Sequence, residues 1–228
     1  MMPTDRRALL AYTLPFALFM AGLVAVSAAK GLGVTTFAGI SLDPMYWIYP
    51  IQTAVCAVAL LWFWSCYDVG VTTWGKILIG VVAGLIIFGL WVAPQELFHQ
   101  PRRTEGFDPG VMPGMTHWMT LARFTRLVII VPLVEEIFWR GFLLRYLMRE
   151  DFTALPFGSS SRFSFWMVVI AFTLVHAPSD WPAASLTGIL LNVVAIRTRS
   201  LFACIAAHAT ANLVLGIYIC ETRQWGFW

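Results

Sequence analysis

The sequence predicts an all-α integral membrane protein, a polytopic bundle of about seven (six to eight) transmembrane helices. Three observations predict it. Of 228 residues, 59% are hydrophobic and only 12% charged, whereas soluble domains carry roughly 25% charged residues. Apolar runs long enough to cross about 30 Å of hydrocarbon recur along the chain. The segments between them concentrate Gly, Pro and Asp. The mean hydropathy of +0.76 agrees. Eleven Trp and seventeen Phe suit interfacial belts and lipid-facing surface, so they require no cofactor. The net charge of +3 is scattered, and no basic run is long enough to engage DNA or RNA. The lipid bilayer is the partner that composition demands; no nucleic acid is expected, and oligomeric state leaves no trace in the sequence.

The first run, about 8 to 28, follows Arg6-Arg7 and ends near Ser27-Ala28-Ala29, which imitates a secretory signal. It exceeds the usual apolar region of about 7 to 15 residues, and more spans follow, so it reads as a retained first helix. Further runs lie at about 46 to 66, 74 to 93, 118 to 147, 163 to 178, 182 to 196 and 200 to 220, the sixth being short. Gly31, Gly33, Asp43 and Pro44 punctuate the first connection, Asp68 and Gly70 the second. The long connection from 94 to 117 is too polar for lipid and is expected to form a lid or a short amphipathic piece, with His99 and His117 solvated. With the N-terminus cytoplasmic, eight basic residues, from Arg6 to Arg199, fall inside and four (Lys30, Arg102, Arg103, Arg223) outside, which fits the positive-inside rule in the cell inner membrane. Arg123 and Arg126 weaken that bias without reversing it. The chain reads as one membrane domain over 1–228, with N-terminal helices and polar loop over 1–117 and a core over 118–220. Cys56, Cys66, Cys204 and Cys220 show no Cys-x-x-Cys spacing and read as small buried hydrophobes.

Polar residues inside the apolar runs are the informative ones. A charge at the centre of a membrane helix costs about 2.5 to 3.5 kcal/mol, yet Glu135-Glu136-Ile137-Phe138-Trp139-Arg140 holds three. On a regular helix Glu136 and Arg140 share a face and can pair, while Glu135 projects about 100° away and stays available. Phe172 and His176 lie one turn apart at the end of the fifth run, and His208 and Asn212 repeat that spacing in the seventh. Without partners in lipid, these groups are expected to meet inside the bundle. Two carboxylates, two imidazoles, an amide and a guanidinium suffice for amide hydrolysis. A carboxylate helped by an imidazole can deprotonate water, and imidazole and amide donors can stabilise an oxyanion. No Gly-x-Ser-x-Gly elbow, Cys–His pair or His-Glu-x-x-His helix offers another route. Phe138, Trp139 and Phe172 are candidate pocket walls for an apolar substrate, and Asn192 reads as a packing residue.

Glu-Glu-Ile-Phe-Trp-Arg-Gly-Phe-Leu at 135–143, Phe-x-x-x-His at 172–176 and His-x-x-x-Asn at 208–212, the last led in by Arg199-Ser200-Leu201, resemble the three motifs of the CPBP family. This is the CAAX protease and bacteriocin-processing family, formerly Abi, which includes the type II CAAX prenyl endopeptidases. The resemblance covers roughly residues 120 to 220 and leaves the first three helices outside it. It implies an intramembrane endopeptidase acting on a membrane-associated protein or peptide. It also implies that Glu135 activates water, that His176 helps to hold it, that His208 and Asn212 form the oxyanion hole, and that Glu136 with Arg140 braces the site. No cofactor is implied by the glutamate-dependent picture. Trp139 departs from the family, where Phe is usual before the arginine, and bears on pocket shape.

Three rival readings follow. The same residues could hold catalytic zinc through Glu135 or Glu136, His176 and His208. The fold could instead serve a non-catalytic membrane chaperone, immunity factor or scaffold. An intramembrane proton relay in a transporter is the third, though no inverted repeat is visible.

Overall fold

In the computed structural model, which describes residues 6–34, 36–37, 40–97 and 100–228, the apolar runs become seven helical rods. His99, expected to be solvated, lies outside the described residues. Helix α1 spans Arg6–Gly31, α2 Met45–Trp62 and α3 Trp74–Leu97. Helix α4 runs without a break from residue 116 to 146, and α5 (Arg162–Leu174), α6 (Trp181–Thr198) and α7 (Leu201–Thr222) follow. A two-residue antiparallel pair, β1 (Thr36–Phe37) with β2 (Ile40–Ser41), ornaments the α1–α2 connection. Helices α1, α2, α3, α7 and α6 with its lead-in turn are long and apolar enough to cross a membrane; α5 is a shorter apolar helix. Leu78, Val82, Leu85 and Ile86 of α3 lie exposed, an apolar face suited to lipid.

Several ends differ from the periodicity. Helix α2 stops at Trp62, because Phe63 leaves helical geometry (φ −99°, ψ 9°) and a short turn over Trp64–Cys66 follows. Helix α3 continues through Pro94 to Leu97, since a proline in the last turn removes one amide without breaking the rod. Helix α5 ends at Leu174, so His176 stands in the turn beyond it rather than on the helix. Cys56 and Cys204 are buried as expected, but Cys66 and Cys220 are only half-buried. The polar connection is fastened rather than loose. Tyr46 Oη donates to the Asp108 carbonyl (2.9 Å), Arg103 pairs with Asp180 (2.6 Å), and the Gly226 amide donates to the Arg103 carbonyl (2.9 Å). His117 is exposed in the first turn of α4.

Two contacts set the depth of the site. Gly80 and Gly84 of α3 face Ala203 and Ala207 of α7 so closely that a Cβ at either glycine would collide with the alanine carbonyl oxygen. Small residues at four-residue spacing on both rods allow this backbone approach, which is how helices associate in lipid. It fixes the height of His208, one residue past Ala207. On the opposite side, Phe16 of α1 stacks on Phe138 (4.0 Å between centroids) and meets Trp139 edge-on (5.1 Å), and Trp139 meets Phe172 edge-on (5.8 Å).

Candidate active site

Helix α4 widens twice, over Thr125–Ile130 and Ile137–Leu143, into π-helical turns of the kind that accompany functional sites. The first has a local cause. The Val131 amide bonds back to the Arg126 carbonyl, a five-residue step, and the next donor in that register is Pro132, which has no N–H. The Leu127 carbonyl thereby loses its backbone donor, and the Asn212 side-chain amide of α7 takes the place at 2.7 Å. One Nδ2 hydrogen of Asn212 is spent on this contact; the other is free to donate elsewhere.

Glu136, fully buried, is the centre of a closed polar cluster. Arg140 Nη1 donates to both of its oxygens (3.0 and 3.1 Å), and His208 Nδ1 donates to Oε1 (2.8 Å). Arg140 in turn donates from Nε to Asn192 Oδ1 (3.1 Å) and from Nη2 to the Gly188 carbonyl (3.4 Å), with its guanidinium over the Phe172 ring. Asn192 Nδ2 donates onward to the Phe165 carbonyl (3.1 Å). Four rods are tied by this chain of bonds. Removing one member of such a buried pair costs about 3 to 5 kcal/mol, because the partner is left charged and alone. Asn192 is the member the sequence reading had as packing; a carboxamide in an apolar helix facing a buried arginine was the available signal.

Glu135 has the opposite surroundings. Its Oε2 is buried and has no hydrogen-bond partner, and its side chain lines a cavity of about 230 Å³ together with His176, His208 and Asn212. His176 donates from Nδ1 to the Phe172 carbonyl (2.7 Å), which leaves Nε2 as the nitrogen free for other contacts. Its own carbonyl accepts from Trp181 Nε1 (3.1 Å), which holds the turn beyond α5 in place. With Nδ1 directed at Glu136, His208 likewise presents Nε2. Phe172 lines the cavity, but the other two candidate pocket walls do not. Phe138 and Trp139 are not part of its lining; the stack with Phe16 draws them into the core, where Trp139 is 2% exposed.

The chain from 116 to 214 carries every one of these polar residues. That segment matches the family model for type II CAAX prenyl endopeptidase, Rce1-like. No curated protein and no solved structure matches the chain. The resemblance read from the three motifs thus holds over the Rce1-like segment, while α1, α2 and α3 lie outside it. Together with the apolar helices, the match describes an integral membrane protein, and at the level of the family it supports a membrane protease of the CAAX type.

The helices outside the Rce1-like segment still contribute to the cavity wall, through Phe16 and Phe19 of α1, Tyr49 of α2 and Trp91 of α3. Arg123 and Arg126 of α4 line it as well, and the sequence reading counted these only as topology charges. Both are buried. Arg123 lies over the rings of Tyr49, Phe107 and Trp228 (5.0 to 5.3 Å), and Arg126 over Phe19 and Tyr49 (5.2 and 4.3 Å). Cation–π contacts of this sort contribute about 0.5 to 2 kcal/mol each, less than the several kcal/mol that burying a charge costs. Among the described residues no three His, Cys, Asp or Glu side chains gather as a metal ion needs. Glu136, one of the two glutamates named for a zinc site, is engaged by Arg140 and His208.

Proposed function

We propose that the chain is an intramembrane endopeptidase in which Glu135 activates water against a peptide bond of a membrane-associated substrate. The observation that carries this reading is the shared cavity: a buried carboxylate with an unpartnered oxygen, two imidazoles and a carboxamide from separate parts of the fold line one space. Glu135 takes a proton from water, and the resulting hydroxide bonds to the carbonyl carbon. His176 Nε2 accepts from the same water and orients it. The oxyanion that forms accepts from the free Nδ2 hydrogen of Asn212 and from His208 Nε2. That second donor needs a hydrogen on Nε2 as well as on Nδ1, so His208 acts here as the imidazolium, its Nδ1 donating to the Glu136 carboxylate that it shares with Arg140. As the intermediate collapses, the C–N bond breaks and protonated Glu135 returns its proton to the leaving amine.

Glu136 and Arg140 act as positioning residues, holding His208 at the height where its Nε2 meets the cavity. The N-terminus is cytoplasmic in this reading, in the cell inner membrane. The test is purified protein in detergent with a fluorogenic apolar peptide. Glu135→Gln abolishes cleavage, and chelator leaves the wild-type rate unchanged. Loss on chelation with recovery on zinc would replace this mechanism by the metal-dependent one, and a Glu135→Gln protein that keeps full biological activity would favour the non-catalytic scaffold.

A further inference from the structure

His176 stands in the turn beyond α5, so the aim of its ring has to be fixed from outside that helix. Its Nδ1 is held by the Phe172 carbonyl (2.7 Å), and the Phe172 ring packs against the imidazole with centroids 4.7 Å apart. A second ring completes the seat. Trp91 of α3 lies 5.7 Å from the imidazole, tilted by 57°. Trp91 is itself fastened: its Nε1 donates to Thr187 Oγ1 of α6 at 3.0 Å, and Thr187 is only 4% exposed. Such a bond is not automatic in this fold, because Nε1 of Trp139 and of Trp228 is buried without a hydrogen-bond partner. Gly188, next to Thr187, carries the carbonyl that accepts from Arg140. The rod that anchors Trp91 is therefore the one that Arg140 ties to Glu136 and, through it, to His208. Trp91, Thr187 and His176 all line the cavity with Glu135. Trp91 lies outside the segment from 116 to 214, and no step of the mechanism above uses either member of the pair.

We propose that Trp91, anchored by Thr187, is a positioning residue for His176 and keeps its Nε2 aimed at the water beside Glu135. The inference rests on the protease reading above and deepens it. With Nδ1 tethered, an imidazole can still rock about its side-chain torsions. The indole limits that movement only while its own rotamer is locked, and the bond from α3 to α6 supplies the lock. Misplacing a group at a reacting centre by about 1 Å can cost roughly 10²-fold in rate. A hydrogen bond that touches neither water nor substrate therefore bears on turnover.

The test uses full-length protein in nanodiscs with the fluorogenic apolar peptide. Trp91→Phe keeps a ring and drops the donor; Thr187→Val keeps the shape and drops the acceptor. Each lowers kcat roughly tenfold with KM and the unfolding midpoint unchanged. The double variant falls no further than either single one, because one bond serves both, and Thr187→Ser, which keeps the hydroxyl, retains the wild-type rate. Single effects that multiply in the double variant overturn the pairing. A raised KM at unchanged kcat makes Trp91 a substrate contact, and a lowered midpoint at unchanged kcat makes the bond packing alone; either overturns the positioning role. A second readout needs no turnover. Carbethoxylation of His176 by diethyl pyrocarbonate, followed by mass spectrometry, accelerates severalfold in Trp91→Phe and in Thr187→Val, while that of His117, exposed on α4, stays constant. Unchanged His176 modification in both variants overturns the inference whether or not the protein cleaves. Accelerated modification in a protein whose wild type cleaves nothing defeats the protease reading instead and leaves the seat of His176 standing.

Discussion

A carboxylate that already accepts from a guanidinium and an imidazole is a poor base, because taking a proton forfeits both contacts. That is the condition of Glu136, whereas Glu135 Oε2 has no hydrogen bond to lose. The two adjacent glutamates therefore respond differently to the same isosteric change. Glu135→Gln is expected to lower the cleavage rate by at least about 10² to 10⁴, with thermal unfolding in detergent unchanged. Glu136→Gln is expected to destabilise the protein by about 3 to 5 kcal/mol, since Arg140 stays buried without a counter-charge, and this appears as a lowered unfolding midpoint. Asn212→Ala is expected to reduce kcat by roughly 10² to 10³ while KM holds, the signature of a lost oxyanion donor; a fall in the unfolding midpoint with turnover intact would assign Asn212 to the Leu127 carbonyl alone. At this scale the pairing of Glu136 with Arg140 was legible from four-residue spacing. The attachment of His208 to Glu136 was not, because a contact 72 residues apart in sequence leaves no local pattern.

Among the elements, the seven rods were readable because each buries its backbone polar groups internally and must therefore appear as a long apolar run. Their ends were less so. His176 looked helical because Phe172 precedes it by one turn, yet the helix stops at Leu174 and the histidine is held by the Phe172 carbonyl and by Trp181. The α3–α7 seam left a usable signal in Gly80 and Gly84 opposite Ala203 and Ala207, a small-residue spacing that the hydropathy of the run conceals. Gly84→Val is expected to push α3 and α7 apart, since its Cβ meets the Ala207 carbonyl oxygen and Thr210, at a cost of about 1 to 3 kcal/mol or more. Gly89→Val on the same helix has no heavy atom within 4 Å of the added Cβ and is expected to leave the protein unchanged. The unfolding midpoint of the two variants, side by side, measures how much of the fold this seam holds.

For the whole molecule, the segment from 116 to 214 supplies the polar chemistry, and α1, α2 and α3 supply much of the apolar wall around it. If the N-terminus is cytoplasmic, as proposed, a cysteine at Arg149 is expected to react with membrane-impermeant maleimide only in inverted vesicles and one at Arg103 only in intact cells; the reverse pattern would turn the molecule over. Composition made the membrane legible, but the two widened turns of α4 were invisible to a fixed helical period. They carry a consequence for tolerated change. A π turn takes up one residue more than an α turn, so a single deletion between 125 and 130 would let that stretch close into α geometry with the residues after it still in phase, whereas the same deletion in the α-helical stretch from 116 to 124 would turn everything after it by about 100°. A deletion in that α-helical stretch would rotate Glu135 out of the chamber and carry Glu136 and Arg140 together away from His208 and Asn192, so α4 accepts a gap in its first π turn more readily than ahead of it.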